Sequence, residues 1–143
     1  MSNLGAPRRY FAYGANMIAE DMARRCPHAR EIGAIILQGW HLVIGRKGYA
    51  TMVREPGARV MGVLWSLTQE CERILDEFEE IDSGLFRRET IDVERKPALV
   101  YVASDATPGE PRVSYLNAVI AAAEARDFPS DYLDELRSWL TRA

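Results

Sequence analysis

The acidic stretch from Glu70 to Asp82 contains the side chains best suited to proton transfer. At about 100° per residue, a helix here has an apolar stripe on one face and most of its carboxylates on the other. Glu72 and Glu79 lie at the edge of the stripe, where either could face an interior cleft. Glu79 is also near the helix C-terminus and beside Glu80, and both features raise the pKa of its carboxyl. It could therefore carry protons near neutral pH, although a solvated acidic helix face has the same sequence.

The segment Tyr13-Gly14-Ala15-Asn16 is the second candidate. An aromatic strand ends here and a helix is predicted to begin, capped by Asn16, so that unpaired backbone N–H groups face whatever occupies the turn. Gly14 has no Cβ and lets a ligand approach the backbone closely. The turn thus predicts a seat for an anion or an oxyanion, with an ordinary capped turn as the alternative.

Nucleophilic and metal chemistries have less support. The chain has no Gly-x-Ser-x-Gly elbow, and nothing around Cys26 or Cys71 marks a nucleophile. Two cysteines are too few for a disulfide framework, and both are predicted to be reduced thiols. His28 and His41 stand alone, and the spacing of Cys26 and His28 does not match a zinc site, so we expect no metal.

Two further polar positions lie on predicted strands. Arg87 and Arg88 are adjacent, and because side chains alternate along a strand, one of them should face solvent while the other could hold a carboxylate. Tyr101 could offer its hydroxyl to a cleft or could be a core tyrosine that is satisfied locally.

Apolar periodicity and Gly/Pro punctuation predict the elements that position these residues. Seven short strands are predicted, over residues 10–13, 33–38, 40–45, 50–53, 59–67, 86–93 and 98–103. Helices are predicted over 17–25, from a Thr68 cap to about 81–84, and over 114–125 and 130–140, the last two each capped by the serine at its start. This mixed order indicates an α+β fold with a mostly antiparallel sheet, which could close into a barrel, and with peripheral helices.

Composition and charge limit the possible functions. The 143 residues are 48% apolar and 27% charged, which is typical of one globular domain spanning 1–143. A net charge of −3 without a cationic run disfavours nucleic acid as a partner. No apolar run could span a bilayer, and the first nine residues lack a signal-peptide apolar region, so we expect a cytoplasmic protein without a membrane partner. We expect it to be a monomer or a homodimer.

The residues from Tyr10 to Met17, YFAYGANM, closely resemble the Y-F-A-Y-G-S-N-[LM] opening of the γ-glutamylcyclotransferase family, also called the AIG2-like family. Further similarities follow in the same order, at residues 50–52, 57–67, 75–86, 114–116 and 128–132. The resemblance therefore covers nearly the whole chain.

This resemblance implies a compact mixed barrel with peripheral helices, in which a cavity holds a γ-glutamyl group. It implies an enzyme that cyclises this group to 5-oxoproline and releases an amine, without a metal or an organic cofactor. By position, the catalytic glutamate is Glu79 and the site tyrosine is Tyr101. The substrate-holding loop consists of Tyr10, Phe11, Ala12, Tyr13, Gly14 and Ala15.

Two positions depart from the family pattern: Ala15 stands in place of a serine and Glu80 in place of a glycine. Two alternatives therefore stay open. One is a noncatalytic small-molecule binding domain of the same fold, and the other is a tailoring enzyme that removes a γ-glutamyl protecting group from a metabolite.

Overall fold

The computed structural model describes residues 7–141, which contain five strands and four α-helices. In chain order they are β1 (Arg8–Ala12), α1 (Ala19–Arg25), β2 (Arg30–Ile44), β3 (Ala50–Leu67), α2 (Gln69–Phe78), β4 (Phe86–Val93), β5 (Lys96–Ala103), α3 (Val113–Ala125) and α4 (Ser130–Ser138). Single 3₁₀ turns precede α1 and follow α4, at Ala15–Met17 and Trp139–Thr141. In this part of the chain, no helix is both long enough and apolar enough to cross a bilayer.

The five strands form one sheet in the order β2-β3-β1-β5-β4. The central strand β1 is antiparallel to β3 and parallel to β5, and the outer pairs are antiparallel. The predicted α+β fold with a mixed, mostly antiparallel sheet is confirmed. The sheet is not closed, because β2 and β4 lie at its two edges, so the word barrel describes it only loosely.

The structure has five strands where seven were predicted. The long strand β2 replaces the predicted strands 33–38 and 40–45, and β3 replaces 50–53 and 59–67. The β2–β3 register shifts between Gln38 and Trp40. Gly39 lies between them with φ +87°, a left-handed conformation that glycine adopts without strain. The glycine that indicated a strand end in the sequence thus forms a bulge inside one continuous strand.

Helix caps agree only in part with their predictions. Thr68 caps α2 as predicted, since its Oγ1 accepts the backbone N–H of Cys71. Asn16 does not cap α1, because it lies inside the preceding 3₁₀ turn and is buried. The predicted serine caps are also wrong: Arg112 and Pro129 hold the cap positions of α3 and α4, and neither makes a side-chain cap bond.

The prediction of two reduced thiols is wrong, because Cys26 and Cys71 form a disulfide. Cys26 ends α1, and Cys71 lies in the first turn of α2, at a sequence separation of 45 and with 5.2 Å between their Cα atoms. Only the packing of the two helices brings the cysteines together, so no local motif could have indicated the pair. The bond ties the helix that contains Arg25 to the helix that ends at Glu79.

Candidate functional site

A cavity of about 410 Å³ lies where the turn after β1 meets the ends of α1 and α2. The first residue of β3, the beginning of α3 and residues of β4 and β5 complete its wall. Polar or aromatic side chains dominate its lining, which includes Tyr10, Tyr13, Asn16, Asp21, Arg25, Tyr49, Phe78, Glu79, Glu80, Phe86, Tyr101 and Tyr115, together with the small residues Gly14, Ala15 and Ala50.

Glu79 is the C-cap residue of α2, and its backbone N–H donates to the carbonyl of Leu75 at 2.8 Å. Its side chain is half-buried in the cavity wall. Burial raises the pKa of its carboxyl to about 7, Arg25 opposes the rise, and the charge of Glu80 adds to it. The carboxyl can therefore accept or donate a proton near neutral pH.

Glu80 lines the same cavity, although the helical wheel directed it away from the apolar stripe. The wheel fails here because the helix has ended, and Glu80 adopts φ +55°. This left-handed conformation is unusual for a residue with a Cβ.

Gly14 allows an unusually close approach in the turn after β1. A Cβ built on it would lie 2.7 Å from Tyr115 Oη, so any side chain here would force that hydroxyl to move. The same Oη accepts the backbone N–H of Ala50 at 3.2 Å, and hydrogen bonding from the Ala15 N–H lowers the pKa of the phenol. Two backbone N–H groups thus converge on one oxygen atom beside Gly14. The sequence predicted N–H donors at this turn but not the hydroxyl that they hold.

Asn16 links two other cavity residues to each other and the turn to β3. Its Nδ2 donates to Tyr10 Oη at 3.0 Å, and its Oδ1 accepts Arg25 Nη1 at 2.6 Å. Its carbonyl accepts Trp65 Nε1 at 3.0 Å, which fixes the turn to β3. The guanidinium of Arg25 also stacks 3.8 Å from the centroid of the Phe78 ring. Asn16 therefore holds Tyr10 and Arg25 in place on the cavity wall.

Tyr10, Tyr13 and Tyr115 are neutral hydroxyls at physiological pH. Burial and the nearby charge of Glu79 raise the pKa values of Tyr10 and Tyr13 well above the ordinary value. Burial is also the main cause of the raised pKa of Tyr115, about 12. Because the lone pairs of Tyr115 Oη face two N–H groups, its proton is the part that it can offer to a ligand.

Tyr101 lines the cavity, but its hydroxyl points elsewhere. It donates to Asp76 Oδ1 at 2.6 Å, and Arg88 binds both oxygens of the same carboxylate. Arg88 also pairs with Glu72, while its neighbour Arg87 is exposed, so the predicted division between the two arginines is confirmed. Tyr101 thus offers the cavity its ring, with its hydroxyl held by α2.

A larger groove of about 770 Å³ lies on the other side of α2. Its carboxylates, Glu72 and Asp76, are held by arginines: Arg8 and Arg88 bind Glu72, and Arg88 binds Asp76. The oxygens of both carboxylates are thus engaged by cations of the protein itself. The smaller cavity with Glu79 is therefore the candidate active site despite its size.

Six of the eight predicted site residues meet at this cavity, namely Tyr10, Tyr13, Gly14, Ala15, Glu79 and Tyr101. Phe11 and Ala12 do not. Phe11 projects from the face of β1 opposite Tyr10 and packs against Gly62 in the core, and Ala12 is likewise buried there.

Sequence reasoning missed Arg25, Tyr49, Phe78 and Tyr115 as cavity residues. Tyr115 lies in a segment that carries the family resemblance, which was the signal that could have indicated it. Arg25 follows Asn16 by nine residues, and only the fold of the turn brings the two together. Within residues 7–141, no group of three or more His, Cys, Asp or Glu side chains could hold a metal ion.

The chain is similar in sequence and in fold to proteins of one family. The model of the AIG2-like family matches residues 59–136, more than half of the chain. Human and mouse proteins named gamma-glutamylcyclotransferase are each 26% identical to it, over 90% of this chain and 77% of theirs. A solved structure of a protein named gamma-glutamyl cyclotransferase superposes with a TM-score of 0.83, at 26% identity, over 92% of this chain and 87% of that one.

Proposed function

Because the chain belongs to the AIG2-like family, we propose that it is a γ-glutamylcyclotransferase that converts the γ-glutamyl group of an amino acid or amine into 5-oxoproline and releases the free amine. The human and mouse relatives that bear this name align with most of the chain. In this proposal Glu79 is the general acid/base, and no metal or organic cofactor takes part.

The observation that carries the proposal is the half-buried carboxyl of Glu79 in a cavity next to the Gly14 turn, with a pKa raised to about 7. A base of ordinary glutamate pKa would be too weak to take a proton from an ammonium group efficiently. The cavity also has a volume suited to a small molecule.

The reaction is an intramolecular aminolysis. Glu79 takes a proton from the substrate α-ammonium, and the α-nitrogen then attacks the γ-carbonyl carbon, so that a C–N bond forms and the carbonyl oxygen becomes negative. The amide C–N bond breaks as the leaving nitrogen is protonated. In total two protons pass from the attacking nitrogen to the leaving nitrogen, which departs as an ammonium ion. Glu79 ends each turnover in its starting state.

The walls of the cavity would fold the substrate for this attack. Since the nucleophile and the electrophile belong to one molecule, holding them in near-attack geometry can supply several kcal/mol of the barrier reduction. The rings of Tyr10, Tyr13 and Tyr101 form the wall against which the glutamyl chain would bend. The Tyr115 hydroxyl, whose oxygen the N–H groups of Ala15 and Ala50 hold beside Gly14, would donate its proton to the negative oxygen and stabilise it. Ala15 takes part through its backbone N–H, which holds the Tyr115 oxygen and does not depend on a side-chain hydroxyl.

The proposal is tested by measuring 5-oxoproline release from a panel of γ-glutamyl amino acids and γ-glutamyl amines. Glu79→Gln keeps the shape of the side chain and removes its base, so we expect turnover to fall by about 10²–10⁴-fold while the fold is retained. Glu77→Gln is the matched control, since Glu77 is an exposed carboxylate of the same helix. It should turn over at the wild-type rate.

Near-normal turnover by folded Glu79→Gln would remove Glu79 from the mechanism. If the folded wild-type protein produces no 5-oxoproline from the panel, yet binds its members in calorimetry, the noncatalytic binding domain becomes the better account. Release from only one unusual γ-glutamyl amine would favour the tailoring enzyme.

The predicted cytoplasmic location and the monomer or homodimer remain predictions. Cell fractionation and light scattering test them directly. The disulfide between Cys26 and Cys71 bears on the first, because disulfides are rare in reducing cytosol. A cytoplasmic protein should therefore yield reactive thiols when cells are lysed in alkylating reagent.

A further inference from the structure

Arg25 is a cation in the candidate active site without an anionic partner. Within residues 7–141 it is the only lysine or arginine that lines the cavity. It forms no ion pair with any carboxylate of the same described residues. A half-buried guanidinium is usually paired, because leaving its charge unmatched costs free energy. An anionic group of a ligand would supply the missing partner.

The guanidinium is held ready for such a ligand. Nη1 donates to Asn16 Oδ1, and the planar group stacks on the Phe78 ring. These contacts use one of its five N–H groups and one of its faces, so that further donors remain for a carboxylate. The disulfide at the next residue, Cys26, ties this end of α1 to α2. A fixed arginine binds a carboxylate without first losing side-chain entropy.

Arg25 and Glu79 together match the two charges of an α-amino acid. They act on each other electrostatically across the cavity wall without being in contact. In a γ-glutamyl compound, the α-carboxylate and the α-ammonium are bonded to one carbon atom, so a site for both needs a cation and an anion side by side. Glu79 has the role of proton acceptor for the ammonium, which leaves Arg25 opposite the carboxylate.

We propose that Arg25 binds the α-carboxylate of the γ-glutamyl group and thereby restricts the enzyme to substrates in which this carboxylate is free. The inference rests on the proposed function and adds the substrate class to it. Compounds whose α-carboxylate is amidated, or lies within a peptide bond, would bind weakly and in poor geometry for attack.

The test compares the best γ-glutamyl amide of the panel with the same compound carrying an α-carboxamide in place of the α-carboxylate. For the carboxylate substrate, Arg25→Gln should lower kcat/KM by roughly 10- to 100-fold, as expected for a charge-assisted pair. For the carboxamide substrate, kcat/KM should hardly change. Values are compared on the pH-independent plateau, because the loss of a cation also moves the titration of Glu79. Arg73→Gln, which removes an exposed arginine of α2, is the control and should affect neither substrate.

Equal losses for both substrates would assign Arg25 to bracing Asn16 and Phe78 and would overturn the proposal, as would no loss for either. If the wild-type protein releases no 5-oxoproline at all, the proposed function fails, and binding decides the inference separately. Calorimetry with L-glutamine and with its α-carboxamide should then show weaker binding of L-glutamine alone in Arg25→Gln. Absence of L-glutamine binding by the wild-type protein, or equal weakening of both ligands, would contradict it.

Discussion

Burial and two charged neighbours determine the acidity of Glu79. Burial at the end of α2 and the adjacent charge of Glu80 raise the pKa of its carboxyl, while Arg25 lowers it. The result, about 7, divides the carboxyl between its protonated and ionised forms near neutrality. A group in this range can both take a proton from an amine and return it to a leaving group.

This balance predicts the pH dependence of activity. The ionised carboxylate is the reactive form, so kcat/KM should rise about tenfold per pH unit at low pH and level off above about pH 7. Glu80→Gln removes a neighbouring negative charge and should shift the midpoint to lower pH. Arg25→Gln removes a positive charge and should shift it to higher pH. Initial rates of 5-oxoproline release between pH 5 and pH 9 check both directions, and identical midpoints in the three proteins would refute the balance.

At the level of single residues, the sequence indicated the proton carrier but not its surroundings. Glu79 and Gly14 were identified because helix periodicity and turn chemistry are local properties. Tyr115 and Arg25 were not, since each reaches the cavity through a tertiary contact: Tyr115 to the turn at Gly14, and Arg25 to Asn16. Such tertiary contacts cannot be predicted from the pattern of a short segment of sequence.

Among the secondary structure elements, α1 and α2 are joined by a disulfide, and both carry residues of the site. The Cys26–Cys71 disulfide joins the C-terminal end of α1, which carries Arg25, to the first turn of α2, at the opposite end of that helix from Glu79. It also closes a long segment, since the two cysteines have a sequence separation of 45. Closing a segment of this length restricts the unfolded chain strongly.

Removing the disulfide should therefore lower the free energy of unfolding. Chain-entropy arguments for this loop length give up to about 4 kcal/mol, and measured effects more commonly reach about 2–4 kcal/mol. The paired variant Cys26→Ala with Cys71→Ala, unfolded in urea beside the oxidised wild type, measures the difference. The wild type in a dithiol reductant should behave as the variant does. If the oxidised and reduced wild-type proteins unfold at the same urea concentration, the disulfide has no stabilising role.

The ends of the strands and helices were the least accurately predicted feature of the secondary structure. The sheet class and all four helices were expected from apolar periodicity. The long strands β2 and β3 were divided at glycines, because a glycine at a bulge and a glycine at a turn are the same letter in a sequence. Pairing between strands, which distinguishes them, is a property of the sheet.

For the whole molecule, the raised pKa of Glu79 links function to stability. The folded protein binds its proton up to about pH 7, whereas the unfolded chain releases it near pH 4.5. Between these values the folded state holds more protons, so the free energy of unfolding falls as the pH rises through this window. Above pH 7 the ionised carboxylate destabilises the fold by its full amount.

Glu79→Gln should therefore stabilise the protein above pH 7. With the shift discounted for the solvent that reaches a half-buried side chain, we expect about 2 kcal/mol at pH 8 and little difference at pH 4.5. Urea unfolding of both proteins at the two pH values measures this. A constant difference would mean that Glu79 does not titrate between them. We also expect one cooperative transition, as a single domain over 1–143 predicts.

The central claim, intramolecular aminolysis, is tested most directly by following the nitrogen atoms. The wild-type protein is given a γ-glutamyl amide labelled with ¹⁵N at the α-amino group, in ¹⁸O water, and the products are identified by mass spectrometry. The account predicts 5-oxoproline that contains the ¹⁵N in its ring and no ¹⁸O, in equal amount to the unlabelled released amine. Labelled glutamate that has gained ¹⁸O would show that water, and not the α-nitrogen, attacks the carbonyl, and would contradict the account.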